Sequence, residues 1–86
     1  MDYIRQGKCE FADYDGRKHQ ITWIVGIDGY LQMDQKRLIK KTNIWKLLIT
    51  IDGERSASFE NGRWNKRPPF FGVARDAYRV ILTLYH

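Results

Sequence analysis

His19 and His86 are the chain's two imidazoles, so any acid-base catalysis by histidine would have to use one of them. A small metal-free ribonuclease would need such a group in a basic groove, and Glu10, Arg17 and His19 are the residues that would furnish it. A plainer reading is surface pairing: Asp13 and His19 fall near the same hairpin end, where a carboxylate raises an imidazole pKa. Cys9 reads as a small buried hydrophobe, since only Lys8 is close enough in sequence to activate a thiolate. One thiol and two imidazoles fall short of a four-ligand zinc site, and the spacing of Asp13, Asp15 and Asp28 matches no calcium loop. No Gly-rich strand-to-helix loop is present to cradle phosphate. These residues lead to the expectation of a non-enzymatic protein with no cofactor and no bound metal.

The positive charge is more informative than any single nucleophile. Residues 1–30 carry four basic groups against five acids, whereas residues 31–86 carry eleven against five, so the whole excess of the +5 net charge lies downstream. Two stretches contain no acid. Residues 35–46 hold Lys36, Arg37, Lys40, Lys41 and Lys46, and residues 61–75 hold Arg63, Lys66, Arg67 and Arg75, with a tryptophan in each stretch. Clustered cations beside aromatics are what a polyanion-binding face requires. The segment around Trp64 is the most suggestive, because cations there alternate with Trp64, Phe70 and Phe71 on a stretch that Pro68 and Pro69 keep extended. An exposed ring in such a loop could stack on an unpaired base; alternatively the three rings could plug the edge of a small core.

The elements that must position these residues are announced by Asx-Gly steps at 15–16, 28–29, 52–53 and 61–62, strong signals for turns between antiparallel strands. In the first hairpin, a three-residue loop Tyr14-Asp15-Gly16 with a left-handed Gly16 sets Phe11 opposite His19 and Cys9 opposite Ile21. That register puts Cys9, Phe11, Ile21, Trp23 and Val25 on one face, which a one-residue slip would expose. The same reasoning at Ile51-Asp52-Gly53 pairs Trp45 with Phe59, Leu47 with Ala57 and Ile49 with Arg55. The spacing also predicts a short central helix over residues 35–42, capped by Asp34, with Leu38 and Ile39 inward and the lysines outward. Residues 30–33 fit a further strand before it equally well. The tail fits a helix over about residues 69–82 docked on the sheet, although its alternation also fits a strand.

The expected fold is therefore α+β: one domain over residues 1–86 with a small antiparallel sheet of two bulged hairpins (about 8–25 and 44–60), a short central helix and a C-terminal helix. Eighty-six residues close one thin core, which leaves room for a homodimer. The opening residues lack the apolar run of a signal peptide and no stretch is long enough to span a membrane, giving the expectation of a cytoplasmic protein without a membrane partner. The expected function is a small basic module that binds DNA or RNA through phosphates at Lys36, Arg37, Lys40, Lys41, Arg63, Lys66, Arg67, Arg75 and Arg79, with Trp64 as a stacking surface. RNP aromatics, a GXXG loop, a zinc knuckle and a helix-turn-helix are all missing. The alternative is a protein-interaction module or inhibitor, of the accessory kind that mobile elements and bacteriophages encode, docking through a sheet edge or the Trp64 loop.

Overall fold

The computed structural model describes residues 2–85, so His86 lies outside the described residues. The chain forms β1 (Asp2–Ala12), β2 (Lys18–Asp34), β3 (Arg37–Ile51), β4 (Glu54–Glu60), β5 (Arg63–Lys66) and α1 (Val73–Tyr85). The strands make one antiparallel sheet in sequence order, and the helix packs across one face of it.

The first hairpin has the register that its apolar face demands: Phe11 pairs with His19 and Cys9 with Ile21. The Asp13 amide donates to the Arg17 carbonyl around the loop, and Gly16 has a φ of 80°, where a Cβ would be strained. The second hairpin departs from the expected pairing. Asp52 and Gly53 both have positive φ, 53° and 83°, which makes a two-residue turn whose twist suits the flanking strands. Leu47 then pairs with Phe59, and Ile49 with Ala57. The extra residue is absorbed inside β4: Thr50 pairs with Arg55 and Ile49 with Ala57, leaving Ser56 as a bulge that keeps Ala57 on the buried face.

There is no central helix. Residues 30–34 pair directly with residues 37–41, and Gln35 and Lys36 form the turn with φ of 46° and 66°. Helical spacing of Leu38 and Ile39 was a local pattern; pairing along the full length of two long strands overrides it, at the cost of left-handed backbone in two residues that are not glycine. The tail is helical and begins at Val73, because Gly72 adopts a φ of 85° and its carbonyl accepts from the amides of Arg75 and Asp76.

The core sits between sheet and helix. Ile21, Val25, Ile27, Leu47, Ile49 and Ala57 from the sheet meet Ala77 and Ile81 from α1, and all are buried. Phe11, Trp23 and Phe59 pack against this cluster from its rim. Trp45, expected to pair with Phe59, is displaced: Gly26 pairs with Lys46 and Ile27 with Ile44, so Trp45 is a bulged residue. Its ring lies over Gly26 on the face away from the helix, where a Cβ on Gly26 would come 2.6 Å from it. Gly7 plays the matching part beneath the Trp23 ring. Trp23 Nε1 in turn donates to Tyr85 Oη at 3.0 Å, tying the end of the helix to the sheet.

Candidate nucleic-acid interface

Strands β2 and β3 outrun their neighbours. Among the described residues β1 pairs with β2 up to Asp28 and β4 pairs with β3 from Lys46 onward, and past them residues 30–41 continue as a ribbon in which β2 pairs with β3. At ~3.3 Å per residue the ribbon extends about 20 Å past the sheet, and the molecule as a whole measures 51 × 23 × 21 Å. Lys36, Arg37, Lys40 and Lys41 are all on this arm and all exposed. Asp34, opposite Arg37, is the arm's acid. Among the described residues none of the four cations is held in an ion pair.

Alternation decides which side each arm residue occupies. Thr42 faces the helix, since its hydroxyl donates to the Tyr85 carbonyl at 3.4 Å. Its partner Gly29 and the next pairs on that side, Leu31 with Lys40 and Met33 with Leu38, continue the face on which α1 packs. Tyr30, Gln32, Ile39, Lys41 and Arg37 take the other side. Leu31, Met33 and Leu38 are 64%, 69% and 65% exposed. A helical reading of residues 35–42 hides this stripe, and the pairing of β2 with β3 is the information it lacks.

The second basic stretch is not joined to the first. Arg63 and Lys66 on β5 lie level with Gly26 and Ile24 of β2, eight to ten residues, or roughly 27–33 Å, from the end of the arm. Arg63, Lys66, Arg67 and Arg79 are exposed, with the Lys66 ammonium donating to the Arg55 carbonyl at 2.8 Å. Arg75 is half-buried, its guanidinium 5.3 Å from the Tyr78 ring and 5.9 Å from that of Phe70. Trp64 is packed edge-on against Phe59 at 5.1 Å and beside Tyr78 at 5.9 Å. It serves the rim of the core. Phe70 and Phe71 do not plug that core; each is 84% exposed.

At the end of the sheet away from the arm, His19 is clamped between two turns. Its Nε2 lies 2.9 Å from Asp13 Oδ2 and its Nδ1 lies 2.7 Å from Asp52 Oδ2. Asp13 Oδ1 also accepts from the amides of Asp15 and Arg17, and Asp52 Oδ1 from that of Gln20. Hydrogen bonds to the two carboxylates, Asp13's first, raise the His19 pKa above its ordinary value, and the imidazole holds both aspartates below theirs. Both ring nitrogens are engaged, so the imidazole joins the β1–β2 and β3–β4 turns. Glu10 is bound to Gln20 Nε2 at 2.7 Å and Lys18 Nζ at 3.6 Å. Cys9 is a free, partly buried thiol packed against the core, and burial pushes its pKa up. Among the described residues no group of three or more His, Cys, Asp or Glu is placed to hold a metal ion, and no helix is long and apolar enough to cross a membrane. Set against known protein families, curated protein sequences and solved structures, the chain matches none.

Proposed function

We propose that this protein is a non-enzymatic DNA-binding module whose basic β-ribbon enters a groove of the duplex and neutralises phosphates there. The observation that carries the reading is the placement of Lys36, Arg37, Lys40 and Lys41, all exposed, around the turn and along the outer end of the β2–β3 ribbon. A B-DNA groove admits a two-stranded ribbon, whereas the deep, narrow major groove of duplex RNA does not. Four exposed cations and few amide side chains favour phosphate contacts over base readout.

Binding to a short duplex should be steep in salt. Four phosphate contacts give a slope of log affinity against log salt of roughly −3 to −4, and removing Lys40 and Lys41 together should flatten it by about two units. Removing Lys66 and Arg67, which lie away from the arm, should leave the slope unchanged. Fluorescence anisotropy across a salt series measures both. Absence of binding at low salt, or a slope indifferent to the Lys40 and Lys41 change, refutes the reading.

One observation favours a second reading, a protein-interaction module: the 84% exposure of Phe70 and Phe71 beside Arg75 suits docking on a partner protein. It moves the contact from Trp64 to the two phenylalanines.

A further inference from the structure

Met33 and Leu38 face one another across the second pair from the end of the arm, with Leu31 one step behind them on the same side. All three are well over half exposed. Large aliphatic side chains at the end of a solvent-facing ribbon are poorly hydrated, unlike Ile27 further back on the same face, which is 1% exposed in the core that α1 helps to form. We propose that Met33 and Leu38 form a wedge that enters a base step of duplex DNA, unstacks it and kinks the duplex. The inference rests on the DNA-binding reading above and specifies how that site engages its ligand.

Charge selects this occupant over the others. Lys40 stands behind the pair on the wedge's own face and Lys36 is in the turn beyond it, so a cation lies at each end of the apolar pair, while Arg37, Lys41 and the arm's acid Asp34 are on the reverse side. Leucine and methionine are among the side chains that open base steps in this manner, and the resulting kinks span roughly 20–90°. A second copy of the arm would instead set four cations against four cations. It would also offer three apolar side chains where stable interfaces engage about 20–30 residues a side.

A wedge makes the protein selective for deformability. Duplexes with a flexible TA or CA step, or with a mismatch at which stacking is already weakened, should bind more tightly than stiff A-tracts, although no side chain reads a base edge.

The test uses a duplex about two helical turns long, with a fluorescent donor and acceptor at its ends and 2-aminopurine beside a central TA step. The parent protein should brighten the 2-aminopurine and bring the ends together. Met33→Ser with Leu38→Ser should keep the circular dichroism of the parent and the same salt slope, lose about tenfold in affinity, and neither brighten the probe nor bend the DNA. Salt-steep binding by the parent without brightening or bending overturns the wedge and leaves the DNA-binding reading standing. No binding at low salt overturns both. A self-association seen by sedimentation and abolished by the double substitution assigns the stripe to contact between copies, and Met33- and Leu38-dependent binding to phosphatidylserine vesicles assigns it to a lipid surface; either overturns the wedge.

Discussion

Ile27 and Met33 occupy the same strand and the same face, six residues apart, yet the structure gives them opposite surroundings. Ile27 is 1% exposed in the core that α1 helps to form, and Met33 is 69% exposed. Ile27→Ala removes buried carbon from a site walled by strands and helix, where large-to-small changes cost about 2–5 kcal/mol. Met33→Ala removes side chain that is mostly in water already, a change within about 0.5 kcal/mol. In a domain of this size each kcal/mol moves the melting temperature by roughly 4–8 °C. Ile27→Ala should therefore lower it by at least about 8 °C, whereas Met33→Ala and Leu38→Ala should each move it by less than about 4 °C. Thermal melts followed by circular dichroism, at two protein concentrations, provide the comparison. A Met33→Ala cost equal to that of Ile27→Ala would mean that the arm's apolar side is covered in solution, refuting the open ribbon on which both the DNA-binding and the wedge readings stand.

The His19 clamp should give stability a definite pH window. The raised His19 pKa contributes stability that is complete below its ordinary value of 6.5 and is lost as pH rises through the folded-state value. The lowered pKa values of Asp13 and Asp52 contribute stability present above their ordinary 3.8 and lost as pH falls through the folded-state values. The clamp should be strongest between those limits, and His19→Gln should flatten the pH profile of denaturant midpoints; an unaltered profile would refute the double bridge. Two kinds of glycine should respond to alanine for different reasons. Gly26→Ala should destabilise by about 1–3 kcal/mol through collision with Trp45, while Gly16→Ala, with nothing within 4 Å of its Cβ, should cost about 1 kcal/mol through left-handed strain alone. Coupling between Gly26→Ala and Trp45→Ala in a double-mutant cycle separates them, since removing the ring should relieve only the first.

Much of this architecture is set within a few residues of chain. Gly16 and Gly53 must take left-handed backbone wherever those turns close, so the turns are legible from residue chemistry. The first hairpin's register follows from keeping Cys9, Phe11 and Ile21 on one face, whereas the tail's periodicity fits a strand as well as the helix it forms. Long-range pairing decided the rest. Leu38 and Ile39 among lysines look like an amphipathic turn of helix, and Gln35-Lys36 carries no glycine or asparagine to announce a hairpin; only the match of β2 to β3 over their whole length makes residues 30–41 a ribbon. The bulge that sends Trp45 to the far face, and the glycines at 7 and 26 that make room for two indoles, arise from the same non-local registers. The arm's cations were visible as a cluster in the sequence. That they stand on a strand pair, with Leu31, Met33 and Leu38 exposed along one of its faces, depends on which strand pairs with which, and local composition does not encode that.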